Sequence, residues 1–397
     1  MVRITFLLLF PILAALPACA AVVTIADPNL EAAVRAELGI PTGDILDTDM
    51  LTLTRLLVLN PEIASLSGLE HAANLQVLYV GGSQISDISP LAELANIETL
   101  HLAGNQIADI TPLAGLANLR ELNLALNEIA DISPLAGLAN IELLYLAVNQ
   151  VSVITPLAGL TNIRGLDLAS NEIADISPLA GLAKIESLNL TDNPITDITV
   201  LAGLPNIAGL YLSSIQIADF TPLAGLANLY ELDLSGNQIT DIAALTGLTN
   251  LYELDLSVNR ITDITPLTGL ANLERLILFS NRIADIASLT GLTNIYHLDL
   301  SSNRIIDMSP LVANSGLAVR DDVNLSCNPL DSTAYSMHIP RLVQRGVDVE
   351  YDGACRGPGC GVGATSPLLP QSGIRAMGDA LVLLLAVLGL ALRPRPA

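Results

Sequence analysis

The sequence predicts an α/β solenoid, a curved right-handed coil with a parallel β-sheet on its concave side and short helical turns on its convex side. Three observations predict it. A 22-residue pattern recurs from residue 83 to residue 303. All copies but the first, which reads Leu78-Tyr79-Val80, hold an L-x-L segment with the period-two alternation of a short strand, and most then place Ser or Thr before Pro, where the chain turns back. Composition agrees: 51% hydrophobic, 3% aromatic and no Trp, which suits thin, near-identical layers better than one irregular core.

The repeat is read from Leu94 to Gly115, LANIETLHLAGNQIADITPLAG, which aligns on the segments that follow. Its asparagine column runs Asn105, Asn127, Asn149, Asn171, Asn193, breaks at Ile215, and resumes at Asn237, Asn259, Asn281 and Asn303. Ser83 holds the same register one repeat earlier, and a degenerate copy around Leu56 to Leu66 brings the count to about twelve. Strand alternation points Leu100 and Leu102 inward and Thr99, His101 and Ala103 outward. A right-handed return lays the next strand alongside, parallel to the first. About eleven strands, ~4.8 Å apart, give a sheet on the order of 50 Å long, room for a protein-sized ligand.

Ser or Thr before Pro, as in Ser133-Pro134-Leu135, reads as an N-cap followed by Pro at the first helical position. Each Asn is expected to satisfy backbone groups where a strand ends, so the column stacks into a ladder. The aspartates Asp87, Asp109, Asp131, Asp175, Asp197, Asp219, Asp241, Asp263, Asp285 and Asp307 recur too regularly to mark one site, and read as scaffold. Ile215 in place of Asn and Val153 in place of Asp predict local soft spots.

The pattern L-x-x-L-x-L-x-x-N-x-I-x-D-I-x-P-L resembles that of leucine-rich repeats. Its 22-residue length with I-x-D-I-[ST]-P-L is similar to the bacterial internalin-like class, over roughly residues 24 to 352. The resemblance implies a capping helix at Ala26-Asp27-Pro28-Asn29-Leu30-Glu31-Ala32-Ala33-Val34. It also implies a closing segment through Asn328-Pro329-Leu330, Ile339-Pro340, Arg345-Gly346-Val347 and Tyr351. The expected organisation is an N-terminal cap over 21–50, repeats over 51–326 and a C-terminal cap over 327–354.

Residues 1–20 read as a secretory signal: Arg3 is the basic region, Ile4 to Leu16 the apolar region, and Ala18-Cys19-Ala20 the cleavage site. Leu16-Pro17-Ala18-Cys19 also resembles a lipoprotein box, which Pro17 fits poorly. After a Gly/Pro-rich linker over 355–379 comes the segment 380–397, with the apolar run Ala380 to Leu392 and the basic Arg393-Pro394-Arg395. Its 13 apolar residues fall short of the ~17 to 25 that span a bilayer. The order of spacer, apolar run and Arg resembles the sorting tails of exported Gram-negative proteins, with a membrane anchor as the competing reading. Both readings put the protein at a cell surface or outside the cell. Cys327, Cys355 and Cys360 are the disulfide candidates, as Cys327–Cys355 or Cys355–Cys360, with one thiol left over.

A net charge of −23, with 17 basic against 40 acidic residues, excludes a nucleic-acid partner and suits a basic one. Outward strand positions carry no packing duty in this reading, so they report on partners. The N-terminal half of that face is small and bland. The C-terminal half carries an acidic field of Glu231, Asp233, Glu253, Asp255 and Asp299 beside His297, flanked by Tyr230, Tyr252 and Tyr296 and interrupted by Arg275, Ile277 and Phe279. Exposed aromatic and aliphatic anchors beside Arg and Tyr are the signature of a protein or peptide site.

Nothing points to catalysis. His71, His101, His297 and His338 are scattered, so no His/Cys metal cluster forms, although His297, Asp299 and Asp255 share a face. Paired carboxylates such as Asp233 and Asp255 lie on an open sheet that excludes no water, and no phosphate-binding loop or nucleophile elbow is present. No cofactor is implied. The reading is an exported recognition or adhesion protein; the alternative is a structural envelope or matrix component without a dedicated ligand.

Overall fold

A computed structural model of the 397-residue chain describes residues 20–58, 62–215 and 217–352. The expected secretory signal, apart from Ala20, and the linker and tail lie outside the described residues. So do Cys19, Cys355 and Cys360, and with them both expected disulfide pairings.

Fourteen parallel strands pair in chain order into one sheet, and short 3-10 turns return the chain between most of them. The first are β1 (Arg55–Val58), β2 (Val77–Val80), β3 (Thr99–His101), β4 (Glu121–Asn123) and β5 (Leu143–Tyr145). There follow β6 (Gly165–Asp167), β7 (Ser187–Asn189), β8 (Gly209–Tyr211), β9 (Glu231–Asp233) and β10 (Glu253–Asp255). The last are β11 (Arg275–Ile277), β12 (His297–Asp299), β13 (Asp322–Asn324) and β14 (Asp348–Glu350). This is the leucine-rich solenoid the repeat predicts, three strands longer than the roughly eleven counted from it. From β1 to β12 every pairing joins residues 22 apart, as in Leu100↔Leu122 and Leu254↔Leu276. Beyond β12 the offset changes: His297 pairs with Asp322 and Asp322 with Asp348.

One continuous core fills the coil. Each repeat contributes the same inward Leu and Ile positions, such as Leu94, Ile97, Leu100, Leu102, Ile107 and Ile110, all at most 1% exposed. Aliphatic side chains stack on their own kind one layer away, which is why a core without Trp closes. At the N-terminal end, α1 (Pro28–Leu38) buries Leu30 and Val34, and Asp27 caps it by accepting from the N–H groups of Asn29 and Leu30. Two short helices follow in the chain, α2 (Asp47–Met50) and α3 (Ser309–Ala313), and at the C-terminal end α4 (Ile339–Gln344) leads to Arg345. The Arg345 guanidinium donates to the carbonyls of Val312, Asn314 and Leu317, tying this segment to the last repeat.

The asparagine column forms the expected ladder. Asn127 is representative: its Oδ1 accepts from Ile107 N at 3.0 Å in the preceding repeat, while Nδ2 donates to Leu102 O and Leu124 O, each at 3.0 Å. Each side chain thereby bridges two layers. Asn328 extends the pattern into the closing segment, bonding Ile305 N, Leu300 O and Leu325 O. A second ladder was not foreseen: exposed asparagines such as Asn118 and Asn140 donate to the carbonyl 23 residues back, Ala95 and Ala117.

At Ile215 the first ladder breaks. Ile215 is fully buried, and in the next repeat the Oδ1 of buried Asn237 has no hydrogen-bond partner among the described residues. A cleft opens at this joint, between Thr196–Thr199 and Ile217–Pro222. The soft spot expected from sequence is therefore a local loss of backbone bridging.

The helical turns are capped differently from expectation. Ser133 and its equivalents are the first residues of the turn, not its N-cap. The cap is the aspartate two residues earlier: Asp131 Oδ1 accepts from Ser133 N at 2.8 Å, and the Asp109 carboxylate accepts from both the N–H and the hydroxyl of Thr111. An aspartate-to-N–H turn serves better than a hydroxyl because a carboxylate accepts more strongly from the exposed N–H. These bonds hold several carboxyls below the usual carboxylate range. The Thr hydroxyl is the larger cause at Asp109 and Asp219, the backbone N–H at Asp175, Asp197 and Asp263. The sign follows: stability from a depressed carboxyl is present above the unfolded value of about 3.9 and lost as pH falls through the lower folded value. The thermal midpoint should therefore drop on acidification below about pH 4; a midpoint that stays level or rises there contradicts the cap assignment.

A left-handed residue precedes each ladder Asn. Glycine fills it at Gly82, Gly104 and Gly236, but Leu126, Val148 and Val258 hold φ of 57°, 56° and 53°. A β-branched side chain in this region is strained by about 1–2 kcal/mol, and Val258 is 43% exposed, so little packing offsets it. Val258→Gly should raise the unfolding free energy by about 1 kcal/mol, read as an upward shift in thermal midpoint. A downward shift would mean the valine packs in a way the strand register does not show.

Candidate functional site

Parallel register gathers the twelve residues singled out in the C-terminal half. Glu231, Glu253, Arg275 and His297 form one row across β9 to β12, and Asp233, Asp255, Ile277 and Asp299 form the next. Phe279 lies just past β11, and Tyr230, Tyr252 and Tyr296 just before β9, β10 and β12. The outward face is thus one surface, built by the inward leucines between these positions.

Within it the side chains divide by task. The carboxylates of Asp233, Asp255 and Asp299 each accept from the N–H two residues on, Ser235, Ser257 and Ser301, at 2.8 Å. Asp255 is only 8% exposed. The expectation that outward positions are free of structural duty is corrected here: these aspartates shape the turn that ends each strand. Ile277 and Phe279, expected to be exposed, are half-buried, because neighbouring outward side chains stand only about 5 Å away and shelter them.

Charge on this face is partly neutralised. Arg275 Nε lies 2.8 Å from Glu253 Oε1 on the adjacent strand. Burial pushes the Glu253 carboxyl up, Arg275 opposes that, and Glu231, Asp255 and Asp233 reinforce it. His297 Nδ1 sits 2.6 Å from Asp322 Oδ2 and so faces β13, not a metal site with Asp299 and Asp255. Asp322 was invisible to column arithmetic because the step from β12 to β13 is 25 residues. No group of three or more His, Cys, Asp or Glu side chains is placed to hold a metal among the described residues.

The tyrosine edge is the most exposed part. Tyr230 and Tyr252 stack with centroids 4.8 Å apart and planes 9° from parallel, the spacing of the strands beneath. Tyr230 is 45% and Tyr296 42% exposed. Glu274 and Tyr296 lie beside the Tyr252 hydroxyl; hydrogen bonding to Glu274, then burial, push that hydroxyl well up. Glu274 was missed, as was Tyr211 on β8, whose hydroxyl donates to Glu231 Oε2 at 2.5 Å. The corresponding edge of the N-terminal half instead carries ion pairs, Arg120 with Glu98 and Glu142, and Arg164 with Glu186.

Nor is the N-terminal half bland. His101 is buried, its Nε2 lies 2.9 Å from Glu121 Oε1, and the Tyr79 ring packs on it at 4.1 Å. Tyr145 lies two strands further along. The signal was present in the sequence, as Tyr and His among small residues in the same column.

The family profile described as Leucine Rich repeats (2 copies) matches residues 95–137, 139–181, 227–269 and 271–313, and a single Leucine Rich repeat profile matches 181–198. No curated protein matches the chain. An internalin (inlF) from Listeria monocytogenes is similar at 32% identity and a TM-score of 0.76, over 83% of this chain and 95% of that one. A leucine-rich-repeat protein of Leptospira interrogans shares the fold at 23% identity and a TM-score of 0.66, over 74% and 82% of the two chains. The ectodomain of the Arabidopsis thaliana receptor kinase GASSHO1/SCHENGEN3 shares it at 20% identity and 0.58, over 72% and 39%.

Proposed function

This chain belongs to the internalin-like family of leucine-rich-repeat proteins, and from that premise we propose that it is an exported recognition module that captures a protein or peptide on the C-terminal half of its concave face. The observation that carries the reading is the tyrosine edge. Tyr230 and Tyr296 keep large rings in solvent, with the half-buried Tyr252 stacked on Tyr230 between them, where the equivalent N-terminal positions hold ion pairs. Solvent-exposed aromatics at a rigid, acidic border suit a partner with basic and apolar side chains. Residues 21–50 and 327–354 act as caps, and residues 1–20 and 380–397 supply export and surface attachment. Among the described residues no helix is long and apolar enough to cross a membrane.

Selection of a displayed peptide library on the immobilised full-length protein tests this. Recovered binders should lose at least about tenfold in affinity, some 1.4 kcal/mol, on Tyr230→Ser with Tyr252→Ser. A charge change elsewhere, Glu172→Ala, should leave them unaffected. Binders indifferent to the tyrosines, or none above background, would favour a structural envelope component.

A further inference from the structure

Tyrosine recurs in one concave column at every third strand, Tyr79 on β2, Tyr145 on β5 and Tyr211 on β8. Tyr79 is occupied by His101. The other two rings are half-buried and ringed by carboxylates. Burial, then Glu121 and Asp167, push the Tyr145 hydroxyl up. At Tyr211, burial, the bond to Glu231, and the charges of Glu231, Glu253 and Asp233 push the same way. Basic groups nearby are committed elsewhere: Arg275 to Glu253, Arg164 to Glu186 and Arg120 to Glu142.

We propose that Tyr145 and Tyr211 are two subsites for the arginine side chains of a single extended basic peptide lying along the solenoid axis. A guanidinium fits because it stacks on an aromatic face and presents a fork of donors to the carboxylates beside it. Spacing sets the peptide. Three strand intervals of ~4.8 Å separate the subsites by about 14 Å. Four residues of extended chain span about 13 Å, and an even number returns both side chains to one face. The two arginines are therefore at positions i and i+4, while i+3 and i+5 put the second one on the wrong side. The inference rests on the reading of the concave face as a ligand surface and extends it towards the N-terminal half.

The test is calorimetric titration of the unaltered full-length protein with synthetic Gly/Ser peptides carrying one arginine, or two at separations of two to six residues. All two-arginine peptides carry equal charge. The four-residue separation should bind at least about tenfold more tightly than the single-arginine peptide and than separations of three or five. Tyr145→Leu or Tyr211→Leu should reduce it to the single-arginine level, while replacing the arginines by lysine should weaken it several-fold. Equal affinity at every separation would show only general attraction to a chain of net charge −23, and would overturn the proposal. An optimum that survives both tyrosine substitutions would overturn it too. Failure here alongside partner binding that still requires Tyr230 and Tyr252 would remove these subsites and leave the recognition face standing.

Discussion

Asn193→Leu is expected to lower the unfolding free energy by about 3–5 kcal/mol, the summed cost of leaving several buried backbone groups unpaired. Asn193 is 3% exposed. Its Oδ1 accepts from Ile173 N at 3.0 Å, and its Nδ2 donates to Leu168 O at 2.9 Å and Leu190 O at 3.1 Å. Leucine has nearly the same shape and adds apolar surface, so little is lost through a cavity. What is lost is the bridge: one N–H has no partner and the carbonyls of Leu168, Leu190 and, part-buried, Thr191 lose a donor, each about 1–3 kcal/mol when buried. In a solenoid each repeat contacts only its neighbours, so a severed joint is not compensated from elsewhere. Thermal and denaturant midpoints measure it. An unchanged midpoint would mean that the ladder is decoration.

The reverse change, Ile215→Asn, should raise stability by about 1–2 kcal/mol. Two effects compete. Removing a fully buried isoleucine forfeits roughly 2 kcal/mol of apolar burial. Restoring three hydrogen bonds at about 1 kcal/mol each, one of them to a backbone N–H whose lack of a partner itself costs about 1–3 kcal/mol when buried, outweighs it. The turn is already shaped for the newcomer, since Ser214 holds φ of 58°, as residues before ladder asparagines do. Rebuilding the turn also brings Ile217 N–H back towards the orphaned Oδ1 of Asn237. A fall of the thermal midpoint by several degrees would show that burial wins at this joint, or that the register is wrong.

The fold was legible because a fixed period converts sequence separation into spatial adjacency: residues 22 apart become neighbours wherever the period holds. That is why Tyr230 and Tyr252, and Glu231 and Glu253, could be placed side by side from numbers alone. It also marks where reading stops. Asp322 opposes His297 across a 25-residue step, so the ion pair was hidden. The tasks of single side chains were hidden as well. An aspartate that caps a strand-end turn and one that waits for a ligand share a residue type and a column, and only the hydrogen bonds from Ser235, Ser257 and Ser301 separate them. For the same reason the turn cap was assigned to Ser and Thr, when the stronger acceptor lay two residues earlier. The exposed tyrosines, in contrast, were visible from sequence because nothing in the scaffold needs them.

The parallel sheet, the asparagine ladder and the recognition face all depend on one repeat forming one layer. Ser213 and Ser235 test this most directly, because their Oγ atoms lie 2.9 Å apart across adjacent repeats although 22 residues separate them. In a protein carrying Ser213→Cys and Ser235→Cys, peptide mapping after mild oxidation should recover a 213–235 disulfide in high yield from folded material and not from urea-unfolded chain. Unbridged thiols in the folded protein, or pairing of either cysteine with a different position, would contradict the layered register and the recognition face built on it.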